Sequence, residues 1–196
     1  MGGKEIHHDV KGLSEQLRIA GLPVDRWGEV IDSQKTKTIA DLMKEIEEGS
    51  CRLEEVGGEW IRMVEVVSVG VFYRDEQTGE VLELYEAGQM FADGDVRVRD
   101  MSKAMNEKME PGESVKQAIK RGVRSELGIE GDLAVELDGM REEEKASPSY
   151  PELKSIYRFH EANLRLTSDQ FNPEGYIEPQ ENKVTYFVWR RLGEEA

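Results

Sequence analysis

Apolar residues recur at helical spacing near the start of the chain and at every second position after Trp60, dividing it into a helical arm and a strand-rich body. Asp9 to Ala20 is predicted as a first helix, with Val10, Leu13, Leu17 and Ala20 on one side, broken by Gly21-Leu22-Pro23. A second helix starts at Thr38, whose spacing to Asp41 resembles a capping box. Its apolar face is Ile39, Leu42, Met43 and Ile46, and Gly49 closes it. Such a cap is worth about 1 kcal/mol. An arm this amphipathic covers an apolar surface, either the adjacent sheet or a second copy of the chain.

From Trp60 the pattern has period two. Ile61 to Tyr73 reads as a long strand rich in β-branched residues, with a bulge expected at Gly70. Gln77-Thr78-Gly79 is a turn, and Val81 to Gln89 is the hairpin partner. Asp95 to Arg99 alternates as a short strand. Further strands are expected at Leu133–Met140, Lys154–Leu166 and Lys183–Leu192, with a polar loop holding Asn172-Pro173-Glu174-Gly175. No internal repeat or low-complexity tract is visible. Strands around one central helix describe an α/β sandwich over residues 59–196, preceded by the arm at 1–58.

That central helix is the best-marked element. Pro111-Gly112-Glu113-Ser114 is a helix start, where an acidic group complements the positive end of the helix dipole. Gly128 ends it, because glycine adopts the left-handed closing conformation with least strain. Val115, Ile119, Val123 and Leu127 form an apolar stripe. Positions 122, 125 and 126 share a neighbouring strip, and carboxylates at all three would make a Mg²⁺ site. Gly122, Ser125 and Glu126 supply one anionic ligand at most.

Composition narrows the function classes. With 196 residues the chain suits one domain of ordinary size plus an appendage. A formal net charge of -15 and a pI near 4.7 argue against a nucleic-acid backbone as main partner. Cys51 is the only cysteine, so the chain has no internal disulfide and no cysteine zinc site, which fits a reducing, intracellular and cytoplasmic setting with an organelle left open. The apolar runs are too short to cross a bilayer. Met1-Gly2 suggests myristoylation, yet Ile6 stands where Ser or Thr belongs.

Residues 107–129 resemble a Nudix box. The family pattern is Gly, five residues, Glu, seven residues, Arg-Glu, an aliphatic, any residue, Glu-Glu, any residue, Gly, an aliphatic. Glu113, Arg121, Val123, Glu126, Gly128 and Ile129 fall on it, whereas Glu107, Gly122 and Ser125 replace the first Gly and two of the glutamates. The resemblance spans roughly Trp60 to Leu192. The segment from Arg141 through Tyr150-Pro151, with the ending Tyr186 to Arg190, is similar to a branch that often carries Ser-Tyr-Pro-Gly and Trp-Arg; here Glu152 replaces that Gly.

The resemblance implies a Nudix-like α/β/α sandwich with a mixed sheet, Mg²⁺ or Mn²⁺ as a weakly held cofactor, and an ion pair between Glu113 and Arg121 that braces the box loop. Family enzymes hold the metal on a diphosphate with the box carboxylates and so activate water. Of these acids only Glu126 remains, as metal ligand and acid for catalysis, or else as a solvated helix-face glutamate. Loss of an outer partner of a metal ligand costs about 10–100-fold, so loss of two ligands costs at least that. Glu142, Glu143 and Glu144, read as a loop between strands, are alternative acids, with a solvated loop as the plain reading. The loop Gly112-Glu113, with Arg121, is the expected cradle for a phosphate-bearing ligand. His160, on the expected strand Lys154–Leu166, has acid-base chemistry as its sharper reading and packing or surface as its plainer one, and the adjacent His7 and His8 near a free end suit neither a rigid metal site nor a base. Three functions follow: a binding domain for a small diphosphate-containing ligand or a protein partner, with a degenerate metal site; a Mg²⁺-dependent diphosphate hydrolase using Glu126 and the loop glutamates; or a structural subunit of an assembly.

Overall fold

The computed structural model describes residues 9–31, 34–98 and 103–192. His7, His8 and the Met1-Gly2 start lie outside them. The elements are α1 (Val10–Ile19), a single 3-10 turn (Val24–Arg26), β1 (Val30–Ile31), β2 (Gln34–Lys35), α2 (Ile39–Glu47), β3 (Arg52–Val56), β4 (Glu59–Arg74), β5 (Val81–Phe91), β6 (Val96–Val98), β7 (Met105–Lys108), α3 (Val115–Leu127), β8 (Ala134–Ala146), β9 (Lys154–Leu166), β10 (Tyr176–Pro179) and β11 (Lys183–Arg191). The fold is mixed α/β. Neighbouring strands follow the order β10-β11-β5-β4-β9-β8, with β3 and β7 on β4 and β6 on β5.

The described residues form two compact units. One draws on Met1–Glu65, Glu110–Gly112 and Arg141–Phe159; the other on Val66–Met109, Glu113–Met140 and His160–Ala196. In the first, Asp9 caps α1 and Thr38 with Asp41 completes a capping box on α2, as their spacing predicts. The apolar stripes are used inside the chain: Leu13, Leu17, Leu42 and Met43 are buried, and burying each such side chain is worth about 1.5–3 kcal/mol. The arm is tied to the segment around Tyr150. Lys37 N–H donates to the Ser149 carbonyl at 2.8 Å, and the Trp27 indole donates to the Pro151 carbonyl at 3.1 Å. Tyr150 is fully buried, its ring 5.3 Å from that of Trp27, so it packs the unit's interior.

Beside it, Glu152 adopts φ +66° with its side chain exposed. This is the left-handed region, which costs an L residue about 1–2 kcal/mol and glycine almost nothing. Glu152→Gly is therefore expected to stabilise the protein by about 0.5–1 kcal/mol after the extra chain entropy of glycine is subtracted. A urea midpoint that fails to rise would count against that strain.

The second unit is built on α3. Ser114 and Gln117 make a capping box, and Gly128 closes the helix at φ +67°. Ala118, Ile119, Val123 and Leu127 are buried with Val67, Val69 and Val71 of β4, Leu84 of β5, Leu164 of β9 and Phe187 of β11. Gly70 sits where β4 changes partner on one edge, since Val69 pairs with Met105 of β7 and Val71 with Leu84 of β5. A Cβ there would lie 2.8 Å from the Phe72 ring. Glu142, Glu143 and Glu144 are not in a loop but on β8, which runs on to Ala146. Their charge hid the strand, although charged residues are usual on an edge strand. The short strands β3, β7 and β10 were also not legible.

Candidate functional site

Arg121 organises the box. Its Nε and Nη2 each donate to Glu113 at 3.0 Å, Nη2 also donates to the Lys108 carbonyl at 2.7 Å, and Nη1 donates to Glu107. The bonds to Glu113, together with those to Glu107, hold the guanidinium pKa above its ordinary value. Glu107 is thus a third member of the brace. At the helix start, the Ser114 and Gln117 N–H groups are taken by each other's side chains. That leaves the Gly112-Glu113 loop fewer donors for an anion than its sequence suggests.

The strip at 122, 125 and 126 carries one carboxylate, that of Glu126. A Cβ on Gly122 would lie 2.7 Å from Met105 Sδ and 3.4 Å from Glu107 Cβ, so the fully buried Met105 fills the space beside the helix. The Ser125 hydroxyl donates back to the Gly122 carbonyl at 3.1 Å. Only Glu126 is left, and it lines a cavity of about 350 Å³ together with Glu86, Glu107, Glu178, Lys183 and Thr185. Burial, then the charges of Glu178, Glu107 and Glu86, push Glu126 up to about 8, and Lys183 opposes them. Gly112, Glu113 and Arg121 are not among the cavity's described lining residues.

Strand register assembles the cavity floor. Glu178 of β10 is directly opposite Thr185 of β11, and Thr185 is opposite Gln89 of β5, giving a row across three strands. The β11–β5 register shifts from Tyr186↔Gly88 to Phe187↔Glu86, which leaves Ala87 as an extra residue. Residues three apart on a regular strand face opposite sides, but this bulge lets Glu86 and Gln89 line the same cavity. Thr185 is 2% exposed and its hydroxyl has no hydrogen-bond partner among the described residues. Glu86, Glu178, Lys183 and Thr185 were missed from sequence. The readable signal was Glu86, a charge in series with Leu84 on an inward face.

The alternative acids are engaged elsewhere. Glu142 accepts from Arg158 at 2.7 Å, Glu143 pairs with Arg141 and Lys145, and Glu144 lies 4.0 Å from Lys154. His160 stands half-buried on β9, outside the cavity lining. Among the described residues no three His, Cys, Asp or Glu side chains are grouped closely enough to hold a metal ion. The donors fit Mg²⁺ in kind, being hard oxygens, but not in arrangement. No described helix is long and apolar enough to cross a membrane.

The raised Glu126 has a consequence for stability. Its folded pKa of about 8 exceeds the ordinary 4.5 of an unfolded glutamate, so folding holds a proton that the unfolded chain releases. The contribution of Glu126 to stability is full below pH 4.5 and is lost as pH rises toward about 8, at up to about 1.4 kcal/mol per pH unit. Glu126→Gln is expected to flatten that slope, read as the difference in urea unfolding between the two proteins from pH 5 to 8.5. Parallel curves would show that Glu126 ionises freely.

No family model matches the chain, and no curated protein matches it. Solved structures do. A C. elegans Ap4A hydrolase is 15% identical with a TM-score of 0.38, covering 66% of this chain and 81% of its own. The NUDIX domain of Shewanella oneidensis NrtR complexed with ADP ribose is 12% identical with a TM-score of 0.35, covering 66% and 73%. A mutT/nudix family protein from Listeria innocua is 16% identical with a TM-score of 0.33, covering 52% and 65%. The chain is similar to these structures, and its residues 107–129 resemble the box of the family that the last two names carry.

Proposed function

We propose that the protein is a Nudix-like domain that binds a small ligand in the cavity beside Glu126 and hydrolyses little or none of it. The observation that carries this reading is the filled strip on α3. Met105 occupies the space at Gly122 and Ser125 bonds back to the helix, so two of the three box positions offer no carboxylate. The remaining acids come from four separate elements, α3, β5, β7 and β10, and Glu107 is already held by Arg121. A retained Glu113–Arg121 brace serves the loop in a binding domain as well as in an enzyme. A bare diphosphate meets four glutamates in this cavity and enters only with its own counter-cations.

With Mg²⁺ or Mn²⁺, hydrolysis of nucleoside diphosphate derivatives, sugar nucleotides and dinucleotides is expected to stay at background. Robust turnover that disappears in Glu126→Gln would overturn this reading and establish a metal-dependent hydrolase.

A further inference from the structure

We propose that the cavity beside Glu126 is a site for an organic ammonium ligand, a short di- or triamine whose N–H groups are received by Glu178 and Thr185 on one side and by Glu86 and Glu126 on the other. The inference rests on the binding reading above and names its ligand class. Two independent observations carry it. The first is the acidic lining: Glu86, Glu126 and Glu178 share one cavity with Glu107, which Arg121 holds, and Lys183 is the single cation among its described lining residues. The second is the Thr185 hydroxyl, 2% exposed, without a partner among the described residues and set in the cavity wall. A buried polar group left unsatisfied costs about 1–3 kcal/mol. An N–H donor arriving there removes that cost.

The layout favours a ligand with separated donors over a compact ion. Mg²⁺ demands oxygens at about 2.0–2.1 Å in near-octahedral geometry, whereas these carboxylates are spread over one helix and three strands. The row Glu178, Thr185, Gln89 steps across three strands, and with neighbouring strands about 4.8 Å apart its ends are separated by about 10 Å. A linear amine of a few carbons matches that span, and a volume of about 350 Å³ holds it. Ammonium to carboxylate hydrogen bonds are charge-assisted and roughly twice as strong as neutral ones.

The test is calorimetric titration of the full chain with spermidine and with putrescine at constant ionic strength, because a chain of net charge -15 also collects cations without specificity. Saturable one-to-one binding is expected, weakened about tenfold or more in Glu178→Gln and measurably in Thr185→Val. Glu174→Gln, an exposed acid of the loop before β10, serves as control and should leave the affinity unchanged. Equal weakening by Glu174→Gln, or no saturation, would overturn the proposal. Mg²⁺ alone binding one-to-one while both amines fail would also overturn it. If a nucleoside diphosphate binds and loses affinity in Thr185→Val while amines fail, the amine class falls and the binding reading stands. If neither binds, both fall.

Discussion

Glu45→Ala is expected to lower the unfolding free energy by about 3–5 kcal/mol, because it leaves a buried guanidinium without its carboxylate. Arg62 on β4 has a side chain only 4% exposed, and its Nη2 donates to Glu45 on α2 at 2.6 Å. Lys37 Nζ donates to the other carboxylate oxygen at 2.5 Å. Burial pushes Glu45 up, but the bonds from Lys37 and Arg62 outweigh it and hold the group at about 2. Since the folded pKa lies below the unfolded one, this stabilisation is present above pH 4.5 and is lost as pH falls through about 2. Urea unfolding of the wild type should therefore weaken on the acid side more steeply than that of the variant. Replacing both partners by methionine should recover much of the loss, since the cost comes from the orphaned charge and not from missing attraction. A loss below about 1 kcal/mol in Glu45→Ala would mean that water reaches Arg62.

Gly175→Ala is the second substitution with a large expected effect, about 3 kcal/mol or more. Gly175 has φ +82°, and a Cβ built on it would stand 2.0 Å from the Phe187 carbonyl oxygen and 3.3 Å from Val188 Cα. Both neighbours are backbone of β11, so no rotamer change relieves the contact. The turn cannot easily retreat either: Asn172 Nδ2 donates to the Gly175 carbonyl at 2.7 Å, and the Tyr176 hydroxyl donates to the Gln170 carbonyl at 2.5 Å. Because Phe187 and Glu178 line the cavity, the displacement should also loosen ligand binding. Thermal unfolding and amine titration of the same variant read the two effects. An unchanged melting temperature would show that the β10–β11 connection yields at little cost.

Local chemistry made much of the fold legible. Thr38 with Asp41 located α2, Ser114 and Gly128 bounded α3, and alternation gave β9 at Lys154–Leu166, because caps and periodicity depend only on residues a few positions apart. The Glu113–Arg121 pair was legible for the same reason, being eight residues apart across one loop and two helical turns. β8 and β7 were not. Their residues are polar, and they are strands because β9 and β4 offer them backbone partners.

What the sequence by itself determined is the α/β character, the helix ends and the absence of carboxylates at Gly122 and Ser125 beside Glu126. What the tertiary structure alone decided is where the acids of the site come from. Glu86, Glu107 and Glu178 lie 40, 19 and 52 residues from Glu126 in the chain, and they reach one cavity through the β10–β11–β5 register, the bulge at Ala87 and the β7 pairing. A shift of one residue in that register turns every side chain of the strand to the other face, and no local pattern encodes it. The same holds for Met105 in the space beside Gly122: close packing between a helix and a strand is fixed by shape, which the two residues acquire only once they are brought together.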